Sequence, residues 1–166
     1  MIPRKYLFHF IDANFNEFDN EDGTPPSNTK YVRLGKHLEA YTEELSPQVN
    51  VTNNILGEQV VIHSAYQVSS SVEPYYAEED DPLWEKLQHI ANNRITGKGC
   101  DTTRIDGIMD DEGNVVWAYI ERCKIVPTSV GGDINGVQIP FQVHNNGNRH
   151  RVSFDLTTKI ATKYTG

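Results

Sequence analysis

Apolar and polar residues alternate with a period of two over much of the chain, which is typical of β-strands with one buried face. In residues 137–144 every odd position is apolar, and the alternation resumes in residues 152–156. Asn146 and Gly147 lie between the two runs, and both residue types tolerate the positive φ of a tight turn. The pattern therefore predicts a hairpin. Because Pro140 has no N–H to donate, the first strand should lie at a sheet edge or place Pro140 where no donor is needed.

Residues 115–126 differ, because apolar side chains occupy both odd and even positions over the first half of this segment. A strand with two apolar faces is either central to a β-sandwich or half covered by a partner subunit. A turn-forming run at residues 110–114 connects it to a preceding strand at residues 105–109. Further strands are predicted at residues 30–34, 37–44, 59–66 and 68–73.

One segment, residues 81–92, has the pattern of a helix. Asp81 can cap the N-terminus, and Pro82 suits the first helical position because its missing N–H is not needed there. The apolar residues that follow share one face of the helix; they are Leu83, Trp84, Leu87, Ile90 and Ala91.

The remaining long segment without a pattern is the polar loop at residues 14–28. A loop of this length within a compact domain is usually functional or disordered. Taken together, the elements predict a mainly β protein: a β-sandwich or small barrel with one α-helix packed alongside and a long N-terminal loop. We expect a single domain over residues 1–166, with a C-terminal tail at residues 158–166.

The chain is acidic, with 23 Asp and Glu against 15 Lys and Arg and a net charge of −8. This balance excludes a protein whose main task is to hold nucleic acid, because Lys and Arg supply the affinity for phosphates. Residues 1–86 contain 15 acidic and 6 basic residues, whereas residues 87–166 contain 8 and 9. The acidic clusters at residues 17–22 and 78–81 are either solvated loops or a surface that repels polyanions.

The sequence has no run of about 18 apolar residues, and its apolar N-terminal stretch is broken at His9 and Asp12. We therefore predict no membrane-spanning segment, no membrane binding and no signal peptide. The two cysteines, Cys100 and Cys123, exclude a disulfide framework and indicate a reducing compartment.

No arrangement of reactive side chains predicts an enzyme. The six histidines have neither the i, i+4 helical spacing of a zinc site nor a Cys-x-x-Cys pair beside them. Cys100 and Cys123 fit small buried hydrophobes better than nucleophiles. Residues 97–100 lack the glycine and the Ser/Thr of a phosphate-binding loop, and Phe18 would occupy the first ligand position of a calcium loop. We predict no catalytic residue, no metal and no cofactor.

Seven short segments, each a turn with part of a strand or helix, occur in a distinctive order: residues 31–36, 54–58, 72–76, 81–87, 131–141, 146–149 and 154–157. In this order they resemble the major tail tube proteins of long-tailed (siphovirus-type) bacteriophages that infect Gram-positive bacteria. The positions that match the family's pattern are Asn54, Leu56, Gly57, Pro74, Tyr75, Gly132, Asp133, Gly136, Ile139, Pro140 and Gly147.

The resemblance implies a β-sandwich with one helix that assembles into hexameric rings, which stack into a hollow tube that conducts DNA during ejection. It implies no catalytic residue and no cofactor. The implied partners are other copies of the chain, the tape measure, tail tip and tail terminator proteins, and DNA in transient passage. An acidic lumen would repel that DNA. The implied location is the tail of the virion, after synthesis and assembly in the cytoplasm of the bacterial host.

Four aromatic residues are candidates for contacts between subunits or rings. Phe15 and Phe18, in the long loop, are expected to hold one ring to its neighbour, and Trp117 and Tyr119 lie on the strand with two apolar faces. One alternative is the inner tube protein of a contractile tail or tailocin-type particle, which has nearly the same physical requirements. A more remote alternative is a secreted carbohydrate-binding β-sandwich, against which the predicted lack of a signal peptide and of disulfides counts.

Overall fold

The computed structural model describes residues 1–166, and the chain is mainly β with one α-helix, as predicted. The helix, α1, spans Pro82–Asn93, and 3₁₀ turns span Arg4–Tyr6 and Gly97–Cys100. The strands are β1 (Leu7–Asp12), β2 (Tyr31–Arg33), β3 (Pro47–Asn53), β4 (Gln59–Tyr66), β5 (Ser69–Val72), β6 (Asp101–Met109), β7 (Val115–Pro127), β8 (Gly131–Asp133), β9 (Gly136–Gln138), β10 (Phe141–Asn145), β11 (His150–Asp155) and β12 (Ile160–Lys163).

Eight strands form one antiparallel sheet with the order β12-β11-β7-β6-β1-β2, which β10 joins by pairing with both β7 and β5. The long strand β7 pairs with β6 along one edge. Along its other edge, residues 118–120 pair with β11 and residues 123–127 pair with β10. This arrangement confirms that the strand with two apolar faces is central.

The predicted hairpin between residues 137–144 and 152–156 is wrong, because β10 and β11 lie end to end along β7 instead of pairing with each other. Between them the chain stays attached to β7. The Asn146 N–H donates to the Arg122 carbonyl at 2.7 Å, and the Arg122 N–H donates to the Gly147 carbonyl at 3.1 Å. Gly147 does adopt the left-handed conformation, with φ 83°. A turn residue thus specifies a local backbone conformation but not the partner of the next strand.

The first strand of that predicted hairpin is also interrupted. Residues 136–138 belong to β9, which pairs with β8, and β10 begins only at Phe141. Pro140 lies in the break, where its carbonyl accepts a hydrogen bond from the Thr128 N–H at 3.0 Å. Because β10 pairs on both sides, it is not an edge strand, and Pro140 instead occupies a position outside the ladder where no donor is needed.

Two other segments differ from the expectation. Residues 37–44 do not form a strand; they pair with the sheet only at Glu44, through an isolated bridge to Ser69, and Tyr41 is buried in core A. Residues 158–166, expected as a tail, contain β12, which pairs with β11.

Each face of the sheet packs against its own hydrophobic core. In β1 alternate side chains point to opposite faces, so Phe8 and Phe10 enter one core and Ile11 enters the other. Core A contains Ile11, Ala13, Leu34, Tyr41, Val72, Leu83, Trp84, Leu87, Cys123, Ile125, Ile139, Phe141 and Val143. Core B contains Phe8, Phe10, Phe18, Tyr31, Ile105, Ala118, Ile120, Val152 and Phe154.

Helix α1 covers core A with its apolar face. Its N-terminus is capped as predicted, since the Asp81 carboxylate accepts a hydrogen bond from the Leu83 N–H at 3.0 Å. The same carboxylate accepts a hydrogen bond from the Tyr75 hydroxyl at 2.7 Å. The segment before the helix is therefore tied to the helix end.

The long loop at residues 14–28 folds against the chain's own body. The fully buried Asp12 carboxylate accepts hydrogen bonds from the Asn14 N–H at 2.9 Å and from the Lys30 N–H at 3.0 Å, so one side chain holds both ends of the loop. In the middle of the loop, Phe18 is buried in core B.

Candidate assembly surface

Strands β3 and β4 form a two-stranded hairpin, called the arm below, which is separate from the main sheet. Every residue of both strands is exposed, and none belongs to core A or core B. The turn is fixed by Asn54, whose side-chain oxygen accepts hydrogen bonds from the N–H groups of Leu56 at 2.9 Å and Glu58 at 3.0 Å. Gly57 supplies the left-handed conformation, with φ 78°. At about 3.3 Å per residue the arm is about 25 Å long.

One face of the arm is apolar. The register pairs Val51 with Val61 and Val49 with His63, so these four side chains share a face. Tyr66 extends that face, with its ring 4.6 Å from the His63 ring in an edge-to-face arrangement. The exposed fractions of Val49, Val51, Val61 and Tyr66 are 48%, 55%, 61% and 56%. Contiguous exposed apolar surfaces are typical of sites that contact other molecules.

The arm also has almost no charge. Glu58 is the only Asp, Glu, Lys or Arg among residues 47–66, although the whole chain has 38 such residues. On the opposite face, polar side chains of β3 lie beside apolar side chains of β4. Exposed strands are normally kept from pairing with other chains by charged side chains. The arm lacks that protection on its apolar face.

A buried ionic cluster lies beside core A, next to the segments that connect the arm to the sheet. Arg104 and Asp106 of β6 are 1% and 4% exposed, and Arg104 donates to both carboxylate oxygens of Asp106 at 2.8 Å. His9 Nδ1 lies 2.5 Å from Asp106 Oδ1. Burial alone would raise the pKa of Asp106, but the charge of Arg104 and hydrogen bonds from His9 and Arg104 outweigh it and lower that pKa to about 2. Burial raises the pKa of Glu43, which lies 3.6 Å from Arg104.

This cluster was not predicted from the sequence. Arg104 and Asp106 are two positions apart in one strand, so their side chains share a face. A pair of opposite charges at this spacing, within a strand that precedes a turn and a central strand, is the signal that would have predicted it.

Of the four aromatic candidates, Trp117 and Tyr119 are partly exposed. They lie on the same face of β7 with ring centroids 5.8 Å apart, and the Arg149 guanidinium lies 4.6 Å from the Tyr119 centroid. Phe15 is partly buried against core A. Phe18 is only 1% exposed. The prediction that Phe18 contacts a neighbouring ring is therefore wrong, because its side chain is enclosed in the chain's own core B.

The family-like positions fall in three places. Asn54, Leu56 and Gly57 form the turn of the arm. A second group lies where the β8–β9 hairpin meets the segment before α1, where the Ile139 N–H donates to the Tyr75 carbonyl at 3.1 Å. Its members are Pro74, Tyr75, Gly132, Asp133, Gly136, Ile139 and Pro140. Gly147 stands alone between β10 and β11.

Other kinds of site have little support in the geometry. No group of three or more His, Cys, Asp or Glu residues is placed to hold a metal ion. Cys100 and Cys123 are buried, and burial raises the pKa of both thiols, which is the opposite of activation as a nucleophile. The structure contains no helix with the length and hydrophobicity that crossing a membrane requires.

Comparison with known proteins shows a similarity of fold. No protein-family model and no curated protein matches the sequence. Among solved structures, a chain from the cryo-EM structure of an extracellular contractile injection system, the PVC sheath/tube terminator in its extended state, superposes with a TM-score of 0.52 at 9% identity. The match covers 91% of this chain and 96% of that chain, so the two share their architecture over nearly their full lengths.

Proposed function

We propose that the chain is a structural protein of a phage tail or tail-like particle. Its copies assemble into hexameric rings, and the rings stack into the hollow tail tube through which DNA is ejected. The observation on which the proposal rests is the arm, whose apolar face the chain itself leaves uncovered. The fold similarity to a contractile injection system and the resemblance of sequence segments to tail tube proteins support the tail context.

A second copy of the chain would stabilise the arm by covering its apolar face. Fully burying a Val side chain contributes about 1.5–3 kcal/mol. Since Val51 and Val61 are 55% and 61% exposed, each would add roughly 1–2 kcal/mol on contact with a neighbouring subunit. A contact between two different surfaces of the same chain does not close on itself, and so it can produce a filament of stacked rings.

The acidic surface suits a tube that conducts DNA. Lys or Arg side chains in the wall would displace counterions from the DNA and bind it at every subunit. A net charge of −8 avoids this binding, and repulsion between like charges keeps the DNA away from the wall.

In this proposal the partners of the chain are its own copies, the tape measure protein, the tail tip and the tail terminator. Phe15, Trp117 and Tyr119 are the proposed contact residues of the body, in addition to the arm. The chain is synthesised and assembled in the cytoplasm of the bacterial host and is part of the tail of the virion. It functions without catalytic residues and without a cofactor.

A second candidate is the inner tube protein of a contractile tail or tailocin-type particle. The fold shared with a chain of a contractile injection system favours it. The two candidates are distinguished by purifying native particles. A sheath protein surrounding the tube would identify a contractile tail, and a bare tube would identify a siphovirus-type tail.

The test is negative-stain electron microscopy of the purified, concentrated protein, with light scattering on the same sample. We expect rings or hollow tubes of uniform diameter. A protein that remains monomeric is next mixed with purified tail tips, which supply a starting ring. A monomer that still fails to polymerise and that binds glycans would contradict the proposal in favour of a carbohydrate-binding module.

A further inference from the structure

Two short segments join the arm to the body, residues 41–46 before β3 and residues 67–70 after β4; the second includes Ser69 and Ser70, the first residues of β5, which pair with β10. They pair with each other through backbone hydrogen bonds: the Glu44 N–H donates to the Ser69 carbonyl at 2.7 Å, the Ser69 N–H donates to the Glu44 carbonyl at 3.0 Å, and the Gln67 N–H donates to the Ser46 carbonyl at 3.3 Å. The arm and these two segments, called the arm base below, therefore form one continuous ribbon. The direction of the arm depends on what holds the arm base to the sheet.

Arg104 contacts the arm base on both sides. From the interior strand β6, its guanidinium donates to the Tyr41 hydroxyl at 3.1 Å and to the Ser70 hydroxyl at 3.2 Å. The other N–H groups donate to Asp106 at 2.8 Å, through Nε and Nη2, and to the Asn145 side-chain oxygen at 3.3 Å. All five donors of the guanidinium thus have an acceptor. Two of these acceptors belong to opposite sides of the arm base.

The acceptors are also bonded to one another. The Tyr41 and Ser70 hydroxyls are 2.6 Å apart. The Asn145 side-chain amide donates to Glu43 at 2.9 Å, and the other carboxylate oxygen of Glu43 lies 3.6 Å from Arg104. Because a buried ion pair often adds little net stability over apolar packing, its main effect here is on geometry.

We propose that Arg104 is a positioning residue for assembly, which fixes the direction in which the arm leaves the body. The inference rests on the proposed function, because the direction matters to assembly only if the arm contacts another copy. The planar, five-donor guanidinium can bond the sheet and both sides of the arm base at once, which a lysine ammonium cannot. An arm without this support would lose more conformational freedom on docking, and that entropy opposes binding.

The test compares Arg104→Lys and Tyr41→Phe with Tyr31→Phe. Arg104→Lys keeps the buried charge but removes the planar set of donors. Tyr41→Phe removes one hydroxyl that accepts a hydrogen bond from Arg104, and it provides the same test if Arg104→Lys does not fold. Tyr31→Phe is the matched control, because Tyr31 is also buried and hydrogen-bonded, to Thr103, but in core B.

The direction of the arm is measured in dilute, unassembled protein by double electron–electron resonance. This method gives the distance distribution between spin labels attached to two introduced cysteines, Leu56→Cys and Val130→Cys. Leu56 and Val130 are 76% and 61% exposed, whereas the native thiols at Cys100 and Cys123 are buried and do not react in the folded protein. We expect a narrow distance distribution in wild type and Tyr31→Phe, and a clearly broader one in Arg104→Lys and Tyr41→Phe. The concentration needed for assembly should rise about tenfold in the last two, equivalent to about 1.4 kcal/mol per subunit.

A folded Tyr41→Phe or Arg104→Lys protein with a distribution as narrow as wild type would overturn the inference. If Arg104 had a purely structural role, the variants would have a lower melting temperature and an unchanged distance distribution. That result would also count against the inference. If wild type fails to polymerise even with purified tail tips and binds glycans, while the variants broaden the distance distribution, the proposed function is wrong and the positioning of the arm by Arg104 is supported.

Discussion

Substitution of Val61 by aspartate tests whether the arm is a contact surface. Val61 is 61% exposed and lies opposite Val51 on the apolar face of the arm. In the isolated chain, a change at such an exposed position alters the free energy of unfolding by less than about 0.5 kcal/mol. In the assembled particle the same carboxylate would lie against an apolar surface, and burying an unpaired polar or charged group costs several kcal/mol.

Substitution by alanine gives a finer measure of the same contact. Val61→Ala removes two carbon groups worth about 0.8 kcal/mol each when buried. Since Val61 is 61% exposed before assembly, about 1 kcal/mol per subunit is lost. A loss of that size raises the concentration threshold for assembly about fivefold. Val61→Asp loses the valine contact and adds the desolvation of a carboxylate, so the threshold should rise by more than about a hundredfold.

The threshold is measured by light scattering over a concentration series, with electron microscopy to confirm that the scattering particles are rings or tubes. Circular dichroism melting checks that each variant folds like wild type. Val130→Asp is the matched control, because Val130 is also 61% exposed but lies outside the arm. Assembly of Val61→Asp at the wild-type threshold would refute the reasoning. An equal effect of Val130→Asp would show that added charge, and not the arm, is responsible.

Three further predictions concern the body of the protein. Phe18→Ala should lower the free energy of unfolding, measured with urea, by about 3–5 kcal/mol, because the Phe18 ring fills core B. Phe15→Ala should lower it clearly less, because Phe15 is only partly buried. Equal losses in the two variants would contradict the burial of Phe18. The pKa of Asp106 in the folded state is about 2, against the usual 3.8. The ionised carboxylate therefore stabilises the folded state by about 2 kcal/mol above about pH 4, and this contribution is lost as the pH falls through about 2. Urea curves across that range should show this loss in wild type, and Asp106→Asn should lack it. Gly107→Ala would place a methyl group 2.5 Å from the Trp117 carbonyl oxygen, so the melting temperature should fall, with a cost of about 1–3 kcal/mol; an unchanged value would disprove the close approach.

Elements with local signals were predictable from the sequence. Asp81 and Pro82 define the start of α1 through a side-chain cap and a missing N–H. Strand β4 occurs at the predicted residues 59–66, where three consecutive β-branched residues, Val60, Val61 and Ile62, favour a strand. The two apolar faces of residues 115–126 left two possibilities open, a central strand or a face covered by a partner subunit, and β7 is central in the sheet, between β6 on one side and β10 and β11 on the other.

The errors arise where a residue's partner is distant in sequence. β1 was not predicted, because His9 and Asp12 interrupt its apolar pattern; His9 is satisfied by Asp106, 97 residues away. The hairpin was wrong for the same reason, since β10 and β11 both pair with β7 and alternation does not encode the partner.

Phe18 was assigned to a ring contact because an aromatic residue in a polar loop has no visible partner in sequence. Asp12 holds both ends of that loop, and this closes Phe18 over core B. The arm was predicted only as its second strand. The exposure of both its strands and their absence from core A and core B are properties of the three-dimensional structure.

The separation of the arm from both cores has a consequence for how such a protein can evolve. Substitutions on the arm do not disturb the packing of core A or core B, because no arm residue belongs to either. Selection can therefore change the partner preference of the arm while the body keeps folding as before. Two lineages could exchange arms as a cassette between Pro47 and Tyr66, and each hybrid would inherit its stability from one parent and its choice of neighbour from the other.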